Sequence, residues 1–171
     1  MAALGYLVIT NNKVITSNNI EPKPQATISS SPIESPTNET TQQPISGRTL
    51  DLSGRGLEKI DQKYFDDTSI TILNVSNNNL TGALPAEIRK LKNLQVLDAS
   101  NNKMTGIPAE IGQLSELRIA NFANNNISGL PLEIGNLKNL QTLDLRGNPN
   151  VSQYDLSKIQ PQIPNAQILT D

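Results

Sequence analysis

The side chains that could do chemistry in this sequence are carboxylates set at a regular interval. Asp51, Asp98 and Asp144 each stand between two apolar residues, and Asn74 and Asn121 fill the same setting in between, at steps of 23, 24, 23 and 23 residues. A pair of carboxylates is what glycoside hydrolysis needs, and an inverting pair stands about 6.5–9.5 Å apart. If each interval adds one strand to a sheet, Asp98 and Asp144 lie about 9.6 Å apart, at the upper limit. Nothing around them supplies the apolar pocket that turns a carboxylate into a general acid. The chain has no cysteine and no histidine, so disulfides, thiol chemistry, the commonest general base and the commonest zinc ligand are all missing. Neither a phosphate-binding glycine loop nor a calcium loop is present. Repetition accounts for the aspartates more simply than catalysis does. The sequence therefore predicts no enzyme, no metal site, no cofactor and no small-molecule substrate.

Composition narrows the partners. The 171 residues carry 14 basic and 16 acidic side chains, which leaves no basic face to neutralise phosphates and argues against a nucleic-acid partner. Aromatics make up 3% with no tryptophan, too few for aromatic cages or base-stacking platforms. Asparagine, by contrast, occurs 21 times, mostly in the second half.

The elements that place these residues repeat with them. Leu94, Leu97, Ala99, Asn102 and Met104 precede IPAEIGQL, and 23 residues on, Leu117, Ala120, Phe122, Asn125 and Ile127 precede LPLEIGNL. A further 23 give Leu140, Leu143, Leu145 and Asn148, and a step of 24 backwards gives Ile70, Leu73, Val75, Asn78 and Leu80 before LPAEIRKL. Leu50, Leu52, Arg55, Leu57 and Ile60 form a worn first copy. Alternation at L-x-L predicts a strand with one buried face. The asparagine that follows sits where the chain leaves the sheet, with an amide able both to donate to and to accept from neighbouring backbone. Asn78, Asn102, Asn125 and Asn148 are thus expected to form a structural ladder. The flanking asparagines at 77, 79, 101, 124 and 126 are expected to solvate loops. The proline starts a short helical segment, and no unit can bury its core alone, so the units must stack.

This pattern resembles the leucine-rich repeat family over Gly47 to Asp171. The copy at Leu80-Thr81-Gly82-Ala83-Leu84-Pro85 is similar to the repeats of plant receptor ectodomains, and those at Gly106-Ile107-Pro108 and Gly129-Leu130-Pro131 to Ras-group and bacterial repeats. The resemblance implies an α/β fold: a right-handed solenoid with a parallel sheet on its concave side and short helices or 3₁₀ turns outside. About five repeats and a C-terminal cap are expected. Tyr64 and Phe65 should cover the front coil, and Ala166 to Leu169 should form a last strand.

Two further segments precede the repeats. Residues 1–17 open with an apolar run, either the remnant of a longer anchor or signal, or a stray strand or unstructured leader. Residues 18–46 are rich in serine, threonine and proline and read as a disordered linker or stalk. An apolar start, a stalk and then a module favours display at the cell surface or another extracytoplasmic place, with a membrane tether through a longer N-terminus. The absence of disulfide caps points instead to a bacterial or intracellular origin and leaves the cytoplasm open.

Function then falls to the concave face. Between the core residues of successive strands lie Asp51, Asn74, Asp98, Asn121 and Asp144, and one place earlier lie Thr49, Ile72, Val96, Ile119 and Thr142. One place after the second core residue come Ser53, Ser76, Ser100, Ala123 and Arg146. An aliphatic strip beside acids and amides suits a protein or peptide ligand, with Ile72, Asn74, Val96, Asp98, Ile119, Asn121, Thr142 and Asp144 as contact residues. Acids in the column would favour a partner presenting Lys or Arg. The alternatives are a structural spacer or surface-coat protein without a specific ligand, and an ice or glycan binder, which would want unbroken threonine columns.

Overall fold

The computed structural model describes residues 47–171; the expectations for a leader over 1–17 and a linker over 18–46 lie outside the described residues. Eight short strands follow in chain order: β1 (Arg48–Asp51), β2 (Ile70–Asn74), β3 (Thr81–Gly82), β4 (Val96–Asp98), β5 (Lys103–Met104), β6 (Ile119–Asn121), β7 (Thr142–Asp144) and β8 (Gln167–Leu169). Six make one parallel sheet in the order β1-β2-β4-β6-β7-β8. Parallel neighbours need a crossover, and here each crossover is the rest of one repeat. After a shift between Arg48 and Thr49 in β1 the sheet is in register, so that Thr49, Ile72, Val96, Ile119, Thr142 and Gln167 form one row across it.

A second, two-stranded sheet pairs β3 with β5. It was not expected from the sequence. The chain stays extended past the ladder asparagine, so that Lys103 N–H donates to Leu80 O at 2.9 Å and Thr105 N–H to Gly82 O at 2.9 Å.

Outside the sheet run 3₁₀ turns at Gln62–Phe65, Ala86–Lys90, Ala109–Gln113 and Leu132–Asn136. Pro85, Pro108 and Pro131 cap the last three from an extended conformation, one place earlier than a first helical residue. Their lost N–H is harmless there as well, because the opening of a helix leaves donors without intrahelical partners. Adjacent turns nest closely. A Cβ at Gly112 would stand 2.3 Å from Glu133 O, so glycine is what allows the turn at 109–113 to pack under the next.

Between sheet and turns runs one continuous core of aliphatic side chains. Leu73, Leu97, Ala120 and Leu143 come from the strands, with Ile88, Ile111 and Ile134 from the turns. At the front Phe65 is fully buried and Tyr64 half-buried against the core. At the back an α-helix, α1 (Gln153–Ile159), is capped by Ser152, whose hydroxyl accepts from Asp155 N–H at 3.1 Å. Leu156, Ile159 and Ile163 seal the last coil before β8 closes the sheet. No helix among the described residues is long and apolar enough to cross a membrane.

Candidate protein-binding face

Each strand points its core residues inward, so its alternate residues face out of the sheet. The outward row nearest the strand starts is polar at its ends and aliphatic in the middle: Thr49, then Ile72, Val96 and Ile119, then Thr142. Ile72, Val96, Ile119 and Thr142 are half-buried, and they stand side by side on consecutive strands.

The second row, Asp51, Asn74, Asp98, Asn121 and Asp144, is more constrained than its sequence suggests. In every case Oδ1 accepts the backbone N–H two residues on: Ser53 at 2.9 Å, Ser76 at 3.0 Å, Ser100 at 2.9 Å, Ala123 at 3.0 Å and Arg146 at 3.1 Å. This is the local turn that Asn and Asp make with their own backbone, and it ends each strand. One oxygen of each side chain is therefore used inside the fold. The Ser53 hydroxyl, with the Ser53 N–H and the Arg55 charge, also holds the Asp51 carboxyl below its ordinary range.

Two expectations are corrected. Asp144 is buried, and Arg146 engages both its oxygens, with Nε to Oδ1 at 3.0 Å; it is not an open acid. The third column is closed at its middle, while Ser53 and Ala123 stay half-buried and Arg146 exposed. Ser76 and Ser100 are buried, and the Ser100 hydroxyl donates back to Asp98 at 2.7 Å. The half-buried centre of the face is Ile72, Asn74, Val96, Asp98, Ile119 and Asn121, with Thr142 at one rim and the exposed Thr49 and Asp51 at the other.

The ladder asparagines do a different job. Asn102, buried, donates from Nδ2 to Val75 O and Ala99 O at 3.1 Å each, and its Oδ1 accepts from Leu80 N–H at 3.0 Å. Asn125 and Asn148 repeat this one and two coils on, and Asn78 reaches back to Leu52 O and to the Arg55 and Leu57 N–H groups. Each amide joins its own coil to the one before it.

The residue before each ladder position has a role that solvation does not describe. Asn77, Asn101 and Asn124 have φ of 56°, 55° and 56°, and Gly54 and Gly147 occupy the same place at 64° and 70°. Only glycine, and asparagine at modest cost, enters this left-handed region readily. Glycine and asparagine exchanging at one repeat position was the available signal. Asn93 and Asn139 were missed as well; each donates to a carbonyl of the preceding coil, Thr68 at 3.0 Å and Ser115 at 2.9 Å.

Comparison with known proteins follows the same segments. Family models described as leucine rich repeat match residues 48–104, and as two copies of the repeat residues 115–158. The exoribonuclease subunit Ccr4 of the CCR4-Not complex from Schizosaccharomyces pombe is 51% identical over 51 residues, 30% of this chain and 7% of that protein. Among solved structures, a leucine-rich repeat protein of Leptospira interrogans is 39% identical with a TM-score of 0.61, over 65% of this chain and 28% of that one. The plant peptide hormone receptor RGFR1, in complex with RGF2, is 33% identical with a TM-score of 0.57, over 71% of this chain and 20% of that one. The chain thus spans well under half the length of each of these relatives.

Proposed function

This chain belongs to the leucine-rich repeat family, with the family's solenoid of parallel strands and outer 3₁₀ turns, and from that premise we propose that it is a protein-interaction module taking a protein or peptide ligand on its concave face. The observation that carries the reading is the half-exposed strip of Ile72, Val96 and Ile119, in register on three consecutive strands. An aliphatic strip can be removed from water by a ligand, and the polar row beside it can set the ligand's position. The likeness to a peptide hormone receptor in complex with RGF2 supports a peptide as the class of ligand. The exonuclease activity named for Ccr4 is not carried over, because the match covers 7% of that protein. Display at a surface, through the apolar and proline-rich residues before Gly47, is part of the proposal.

The test compares the full chain with a Val96→Glu, Ile119→Glu variant that melts like the parent by circular dichroism, each used to capture proteins from extracts of the source cells. Partners held by the parent and lost by the variant are the expected result. Equal capture by both would move the site off the concave sheet. Specific capture by neither would favour a spacer.

A further inference from the structure

The hydrogen bonds that end the strands also decide which atoms the concave face offers. A backbone N–H must meet an oxygen, so the amides of Asn74 and Asn121, accepting at 3.0 Å each, keep Oδ1 inward and are left with Nδ2. Neither Nδ2 has a partner among the described residues, and no buried side-chain nitrogen or oxygen there lacks one, so both NH₂ groups reach solvent. Asp98, on the strand between them, uses Oδ1 for both Ser100 bonds and keeps Oδ2 free. Along three consecutive strands the face therefore reads donor, anionic acceptor, donor, beside Ile72, Val96 and Ile119.

Spacing selects the conformation of a peptide that could match it. The two donors lie two strands apart, about 9.6 Å, and slightly less at the tips because the face is concave. Along one side of an extended strand, carbonyls recur about every 6.8 Å, which puts neither the next carbonyl nor the one after it on the second donor. In an α-helix the carbonyls are already bonded within the helix. A polyproline II helix turns once in three residues of about 3.1 Å, so its unbonded carbonyls recur on one side about every 9.3 Å. Of these three conformations, that one fits.

We propose that the concave face binds a proline-rich segment in the polyproline II conformation, with carbonyls three residues apart on Asn74 and Asn121. A lysine or arginine between those carbonyls meets Asp98 Oδ2, and the proline rings lie on Ile72, Val96 and Ile119. The inference rests on the concave face being the contact surface.

The experiment measures fluorescence anisotropy of a labelled peptide of four Pro-Pro-Lys units with the full chain at physiological ionic strength. A peptide of four Gly-Ser-Lys units keeps the charge and lacks the conformation. Two chain variants keep an oxygen for the strand-ending turn, as Asp98 and Asn121 each do already: Asn121→Asp and Asp98→Asn. The expected result is a preference of at least tenfold for the proline peptide, with each variant weakening it by about tenfold. Asn121→Asp adds negative charge, so simple attraction of a cationic peptide would tighten binding where the proposal requires loss. Tighter binding, an equal affinity for the Gly-Ser-Lys peptide, or no binding of the proline peptide would overturn the proposal. If the proline peptide fails while protein capture remains sensitive to Val96→Glu and Ile119→Glu, only the ligand class falls. Equal binding of the proline peptide by that face variant, with equal capture, would sink the concave reading too.

Discussion

Asn102 shows how much a single amide can hold. Its Nδ2 binds carbonyls of two coils and its Oδ1 takes the N–H of Leu80, all out of reach of water. Asn102→Ala leaves those groups unpaired, at a cost of about 1–3 kcal/mol, and should lower the melting temperature measured by circular dichroism; an unchanged melt would show that water replaces the amide. Asn101, its neighbour, is held by backbone rather than by burial. With φ at 55°, Asn101→Gly should be close to neutral, whereas Asn101→Val should cost about 1–2 kcal/mol. Denaturant melts of the two variants separate backbone conformation from surface polarity, since equal midpoints would mean the conformation matters little.

At the scale of elements, the front coil depends on acids more than the others do. Asp61 caps the 3₁₀ turn at Gln62–Phe65 by accepting from Lys63 N–H at 3.0 Å. Asp67 accepts from Ser69 and pairs with Arg48 at 2.9 Å. Asp51, Asp61 and Asp67 all lie below their ordinary pKa. The Ser53 hydroxyl is the chief cause for Asp51, the Lys63 N–H for Asp61 and the Ser69 hydroxyl for Asp67. A carboxyl with a lowered folded pKa contributes stability above its unfolded pKa, and that contribution is lost as pH falls through the folded value. Acid should therefore open β1 and the first turn before β4 and β6. Amide signals followed by NMR from about pH 5 downward check this, and simultaneous loss from both regions would refute it.

At the scale of the whole molecule, each repeat rests on its two neighbours, and the core is a stack without a single centre. Solenoids of this kind have stability made of repeat and interface terms. Hydrogen exchange at neutral pH should then be slowest in β4 and β6 and faster toward both ends, with the outermost strands opening locally. Uniform protection along the sheet would mean instead that the end coils, sealed by Phe65 in front and by Leu156, Ile159 and Ile163 behind, bind the stack into one cooperative unit. The same architecture sets the ligand face, because one strand per repeat repeats an outward side chain at a constant step.

Much of this was legible in the residues alone. Alternation at L-x-L assigns Ile72, Val96 and Ile119 to one face and Leu73, Leu97 and Ala120 to the other, because strand side chains alternate whatever surrounds them. Repetition with a step of 23 or 24 residues demands stacking, because one coil cannot cover its own apolar side. Which atoms remain for a ligand was not legible. The turn after each strand consumes Oδ1 of Asn74, Asp98 and Asn121, while Ser76 and Ser100 are buried and Arg146 closes over Asp144. Periodicity decides the direction in which a side chain leaves the backbone. The partners its atoms meet depend on bonds two residues or a whole coil away, and only the folded chain brings those together.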